Sequence, residues 1–176
     1  HLLEKNQAVA AGKGESRGLT PYGLDFAPDG SVWYSKLNAN RIGRIDPKAL
    51  DGDIKEWNPP FRGPRRHHVD QDGIVWVPGF GSGVLGRFDP KTEKWTTYAL
   101  PDYDNQIPYA LNIDAKGIVW ICGTGNDTIG RFDPKTERLI EIPMPTRVTF
   151  TREIEFDEEG NIWTCSSNGP TRHNER

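Results

Sequence analysis

Cysteine occurs twice and methionine once in this chain. Cys122 and Cys165 form no CxxC pair, which excludes a disulfide framework and a thiolate metal knuckle. No apolar stretch approaches the roughly 18 residues that a helix needs to cross a bilayer, so no membrane span is expected. The first residues show no signal-peptide pattern of charge, apolar run and small-residue cleavage site. The chain nevertheless starts at His1 rather than methionine, which reads as a processed or trimmed piece. Its compartment is open, with an extracytoplasmic place, periplasmic or secreted, as the expectation. Surplus positive charge is also missing: 22 Lys and Arg against 25 Asp and Glu give a net −3. Nucleic-acid binding needs a basic face that neutralises phosphates, so that class is excluded and any basic site must be local.

What is plentiful is turn chemistry. Nineteen glycines and 14 prolines punctuate a chain that is only 35% hydrophobic, which suits short strands joined by polar turns. A repeat sets the architecture. Pro21-Tyr22-Gly23-Leu24-Asp25-Phe26-Ala27-Pro28-Asp29-Gly30 leads to Val32-Trp33, then Arg41-Ile42-Gly43-Arg44-Ile45-Asp46-Pro47, then Ile54-Lys55-Glu56-Trp57. Trp33, Trp76, Trp120 and Trp163 stand 43, 44 and 43 residues apart. Gly43-Arg44, Gly86-Arg87 and Gly130-Arg131 keep the same beat, as do Asp46-Pro47, Asp89-Pro90 and Asp133-Pro134. Each unit carries four short β-branched or aromatic runs, exemplified by strands A (Leu24–Phe26), B (Val32–Ser35), C (Ile42–Asp46) and D (Asp53–Trp57). A four-stranded unit of that length is one blade of a β-propeller, stacked on its neighbours around a channel. The fold class is therefore all-β, a propeller of four-stranded blades, with the repeated tryptophan filling the space between blades.

The repeats run over 18–61, 62–106, 107–150 and an incomplete 151–176, in one partial propeller domain spanning 1–176. Residues 1–17 supply an outer strand and linker of a preceding blade, because His1-Leu2-Leu3-Glu4-Lys5 is like the D-strand segment Arg138-Leu139-Ile140-Glu141-Ile142. One explanation is a piece of a six- or seven-bladed ring. Another is a four-bladed closure in which the first strand completes the last blade and removes open sheet edges. Missing blades would leave faces free for self-association.

The runs Pro21-Tyr22-Gly23-Leu24, Gly30-Ser31-Val32-Trp33-Tyr34 and Asn38-Ala39-Asn40-Arg41-Ile42-Gly43-Arg44 resemble the blade of the virginiamycin B lyase (streptogramin lyase) family. The likeness returns at Gly117-Ile118-Val119-Trp120 and Asn126-Asp127-Thr128-Ile129-Gly130-Arg131, and spans Gly18 to Thr164. The resemblance implies a seven-bladed, magnesium-dependent enzyme that opens a cyclic peptide antibiotic at its ester bond by elimination. It also implies essential histidines directly after the proline that opens strand A, with a glutamate just before one such proline. Tyr22, Arg65, Tyr109 and Arg152 hold those positions here, and Thr20, Gly63, Ile107 and Phe150 stand where the glutamate would be. Tyr22, within Pro-Tyr-Gly, matches a motif of the lyases' first blade. This segment thus lacks the general base that such an elimination needs.

Two sets of residues could carry function. Tyr22, Arg65, Arg66, Tyr109 and Arg152, with Arg62, Arg147 and His67 nearby in sequence, would place a local positive mouth on one rim. It would suit a small anionic molecule or a protein partner, arginine gripping carboxylate or phosphate and tyrosine stacking on a ring. The competing reading is that Glu153 and Glu155 pair with those arginines. Asp25, His68, Asn112 and Glu155 form a second set, one per blade on strand A, of types that bind Mg²⁺ or Ca²⁺. They would serve a metal-dependent lyase or lactone hydrolase in the channel, as in gluconolactonase-like propellers, which the blade plan resembles more distantly. Strand alternation alone also predicts polar residues there. His67 shares a column with Leu24, Leu111 and Ile154 and reads as structural. Cys122 and Cys165 read as small buried packing residues, with a disulfide between adjacent blades open should their Cα atoms come within about 7 Å, and His173 as part of a polar tail. Arg44, Arg87 and Arg131 are expected to anchor strand C to the Asp-Pro turns.

Overall fold

The computed structural model describes residues 21–49, 53–101, 107–123 and 126–167. Among them are fourteen strands and no helix. The first sheet holds β1 (Leu24–Phe26), β2 (Val32–Lys36), β3 (Arg41–Asp46) and β4 (Asp53–Trp57). The second holds β5 (His68–Val69), β6 (Val75–Gly79), β7 (Val84–Asp89) and β8 (Lys94–Ala99), and the third β9 (Pro108–Ile113), β10 (Val119–Gly123), β11 (Thr128–Asp133) and β12 (Arg138–Pro143). Each is an antiparallel meander whose strands pair in chain order, and β13 (Glu155–Phe156) with β14 (Ile162–Trp163) forms a two-stranded fourth. These are propeller blades. The proposed N-terminal strand at His1–Lys5 and the tail with His173 lie outside the described residues.

The repeat alignment holds at the level of register. Asp25, His68, Asn112 and Glu155 stand opposite Trp33, Trp76, Trp120 and Trp163. Turn residues enforce this. Gly30, Gly73, Gly117 and Gly160 close the A–B turns at φ of 84°, 81°, 79° and 83°, a left-handed region that other residues adopt at a cost. In the C–D turns Asp46, Asp89 and Asp133 each accept the amide two residues on at 2.9 Å, so each aspartate caps its own turn.

The core lies between blades. Trp33 stacks on Trp57 at 5.4 Å, and both pack on Phe88 of the next blade beside Val75 and Val77. Trp76 meets Phe132, Leu111 and Val119 in the same way. Burying side chains of this size contributes about 1.5–3 kcal/mol each, which outweighs the strands' weak individual stability.

Three expectations need correction. Trp33 and Trp76 are buried, but Trp163 is 64% exposed, since no blade covers its face among the described residues. For the same reason Leu24 is 67% exposed at the opposite end, whereas Leu111 and Ile154 in its column are fully buried. Of the two cysteines, both free, Cys122 is buried and Cys165 is exposed. The strand C arginines only partly meet the expectation, Arg87 acting through its charge on Asp89 of its Asp-Pro turn. Each faces its blade's tryptophan across the B–C pair. Arg44 bonds Asp29 of the A–B turn at 3.1 Å, and Arg87 and Arg131 lie over Trp76 and Trp120 at 6.0 and 5.9 Å.

Candidate functional site: an arginine and tyrosine rim above the channel

All five residues expected at the rim come together around Tyr109. The Arg65 guanidinium lies 3.7 Å from the Tyr109 ring centre, 3.8 Å from Phe80 and 4.9 Å from Tyr22. Arg66 and Arg152 stand 5.6 and 5.4 Å from the Tyr109 ring, and Arg152 lies 4.6 Å from Phe150. Guanidinium planes stack well on aromatic faces, which fixes these cations without using their N–H groups. The Arg65 Nε, buried there, has no hydrogen-bond partner. Arg66 forms an ion pair with Glu153, so the competing reading holds for that residue. Arg152 is exposed. Arg62 and Arg147 are exposed too, but Arg62 belongs to the β6–β7 turn through Ser82 and Gly81, and Arg147 lies near Asp127.

Local sequence explains how the rim is built. Pro-Tyr-Gly places Tyr22 where its hydroxyl bonds the Tyr109 hydroxyl. A Cβ on Gly23 would meet the Arg65 carbonyl at 2.9 Å, so glycine allows the first two blades to approach this closely. Burial alone would lift the Tyr22 phenol, but the bond from Tyr109 and the Arg65 charge bring it below its ordinary value. Burial and the bond to Tyr22 hold Tyr109 above its own. Phe80 and Phe150 also line the rim, a place the sequence did not assign to either. Phe150 is placed by an unusual segment: Asp127 accepts the amides of Val148 and Thr149 at 2.7 Å, and Val148 and Phe150 take φ of 56° and 47°. Such backbone costs of order 1–3 kcal/mol, and its only sequence signal is the Asp in Asn126-Asp127-Thr128.

The polar strand A column is stitched in pairs rather than gathered on one point. Asp25 Oδ2 lies 3.3 Å from His68 Nδ1 and accepts the Val69 amide at 2.7 Å. Burial works against the Asp25 carboxylate, yet His68 and Val69 together hold its pKa below the usual range. Asn112 donates to the Ile154 carbonyl at 2.8 Å and to Glu155 at 3.3 Å. Both pairs link one blade to the next. Among the described residues no group of three or more His, Cys, Asp or Glu side chains is arranged to hold a metal ion.

His67 sits beside this column, 1% exposed, with neither ring nitrogen making a hydrogen bond. Burial pushes its pKa down to about 4 despite the nearby Asp25 charge, so the ring is neutral at pH 7. A buried polar group left unmet costs about 1–3 kcal/mol.

With the blades and rim in place, comparison with known proteins gives the family. The sequence pattern of the virginiamycin B lyase family matches residues 6–169. The chain belongs to that family. Among solved structures, the virginiamycin B lyase of Staphylococcus aureus superposes with a TM-score of 0.75 at 23% identity, over 87% of this chain and 50% of that one. A catalytically inactive variant of the same lyase, with quinupristin, gives 0.74 at 24% identity, over 83% and 48%. A streptogramin B lyase gives 0.76 at 25% identity, over 87% and 49%. The chain thus spans about half the length of these virginiamycin B lyase structures. No curated protein matches the sequence.

Proposed function

We propose that this chain is a ligand-binding arc of a lyase-like propeller whose rim receives an anionic group. The observation that carries this reading is the gathering of Arg65, Arg66 and Arg152 about the Tyr109 ring in a chain of net charge −3. Arg152, exposed and stacked on Phe150, is the cation best placed to meet a carboxylate or phosphate. Calorimetric titration with an aryl carboxylate tests it. Binding that weakens about tenfold in Arg152→Ala supports the rim, and equal affinity in that variant removes it.

Family membership favours a second reading, a divalent-metal-dependent lyase or lactone hydrolase working in the channel. Asp25, His68, Asn112 and Glu155 would have to leave their separate pairings to hold Mg²⁺ or Ca²⁺ there, the ion acting as a Lewis acid. Incubation with quinupristin and Mg²⁺ is the direct assay, and an unopened substrate together with no heat on titrating either ion would retire this reading. The exposed blade faces bearing Leu24 and Phe26 at one end and Trp163 at the other also support self-association or a protein partner.

A further inference from the structure

The residue directly before β3, β7 and β11 is Asn40, Gly83 and Asp127, the same place in three successive blades, and all three take a left-handed φ, of 53°, 58° and 55°. Asn40 and Asp127 carry side chains that reach the linker running from strand D into the next blade. Asn40 accepts the amide of Gly63, two residues ahead of Arg65, at 2.9 Å and donates to the Phe61 carbonyl at 2.8 Å. Asp127 accepts the amides of Val148 and Thr149 at 2.7 Å and the Thr149 hydroxyl at 2.9 Å, three residues ahead of Arg152. Gly83 has no side chain to offer, and the linker beyond it leads to Tyr109 rather than to an arginine. Each linker held in this way delivers a cation to the rim.

The strain of the second hold falls on Phe150. Its position corresponds to Gly63, and the two residues share a left-handed φ, 47° and 75°. Glycine takes that conformation freely, whereas phenylalanine does so against its own Cβ. The surroundings of the ring show what is gained: Phe150 meets Tyr109 edge-on at 6.4 Å and lies 4.6 Å from the Arg152 guanidinium. From the other side Ser166 and Ser167 donate to the Thr149 and Phe150 carbonyls at 2.7 and 2.5 Å, so the third and fourth blades grip the segment together. Arg152 itself stays exposed and open to a ligand.

We propose that Asp127 is a positioning residue of the rim: by gripping the linker into the fourth blade it sets the Phe150 platform, and through that ring it aims the Arg152 guanidinium at an anionic group. The inference rests on the rim being an anion site and deepens that reading.

Calorimetric titration with benzoate tests it. Asp127→Ala weakens binding about fivefold, as expected when an aimed ionic contact is lost. Removing a carboxylate near the rim would by charge alone tighten the binding of an anion, so the sign of the change separates positioning from electrostatics. Asp127→Asn keeps most of the affinity, because Asn40 shows that an amide side chain can hold such a linker. In an Arg152→Ala background Asp127→Ala has no further effect, the coupling expected of a residue that acts through another. If Asp127→Ala does not fold, Thr149→Val, which removes the hydroxyl bond alone, is read in the same way with a loss of about twofold. Unchanged or tighter binding in Asp127→Ala, or the same loss with and without Arg152, overturns the inference and leaves the rim standing. No binding of benzoate by the unmodified chain overturns the rim and this inference with it.

Discussion

The carboxylate of Asp70 accepts the indole N–H of Trp76 at 2.9 Å, while its other oxygen takes the amides of Asp72 and Ile74. The arrangement recurs at Asp114 with Trp120 and at Asp157 with Trp163, at 3.0 and 2.8 Å. One side chain therefore closes the A–B turn and fixes the blade's tryptophan, which in Trp76 seals the boundary with the next blade. In the first blade Ala27 stands at this position, and Asp29 instead bonds Ser31 and Arg44. Replacing Asp70 by Ala strands two turn amides and the indole of Trp76, which is 2% exposed. A loss of about 2–3 kcal/mol is expected, read from the urea midpoint.

A buried cation gives the second expectation. Lys36, 2% exposed, bonds Glu56 at 2.5 Å, and Tyr34 and Arg41 donate to the same carboxylate. Burial alone would raise the Glu56 pKa, but these three donors bring it to about 2. Because the folded value lies below the unfolded one, the contribution is complete above about pH 4.5 and is lost as pH falls toward 2. Glu56→Gln leaves Lys36 without its counter-charge and should cost about 3 kcal/mol near pH 7, with a flatter acid limb in the stability profile.

The repeated Gly-Arg step separates space from motif. A Cβ on Gly43 would lie 2.2 Å from the Tyr34 ring, and one on Gly86 2.4 Å from Phe61. At Gly130 the nearest atom, on Leu139, is 3.4 Å away. Gly43→Ala and Gly86→Ala should each destabilise by about 1–3 kcal/mol, and Gly130→Ala by less than about 1 kcal/mol, in thermal melts of the three variants.

Thiol chemistry distinguishes the cysteines. Burial lifts the Cys122 thiol to about 12, so it has almost no thiolate at pH 8, whereas Cys165 is exposed. Alkylation of the native chain at pH 8 should label one site, mapped by mass spectrometry to Cys165, and both sites only in denaturant.

The blades were legible because their period is written in tryptophan, glycine and Asp-Pro steps, each with a local conformational role. Strands A and D of the first blade fall at Leu24–Phe26 and Asp53–Trp57, as read from the sequence. The rim residues were legible for a related reason: equal positions in equal repeats share one radius, so Tyr22, Arg65, Tyr109 and Arg152 had to gather. Phe80 and Phe150 were not, since the equivalent positions carry other residue types, Leu37 for Phe80 and Thr20, Gly63 and Ile107 for Phe150, so the repeat gives no sign of an aromatic there. The Asp70–Trp76 bond was visible only as Asp-x-x-Gly-x-Val-Trp, and nothing in a spacing says that a carboxylate turns toward an indole. The partners of Arg44 and Arg87 depend on side-chain direction across a strand pair, which periodicity does not encode.

Trp33 and Trp76 each lean on the blade that follows in the chain, so these two seams share one plan although their other side chains differ. A gene that duplicated or dropped one unit would keep the tryptophan-to-next-blade plan of each joint. Ring size in such a lineage can therefore drift by whole units, while any one insertion shorter than a unit breaks the hydrophobic phase on both of its sides.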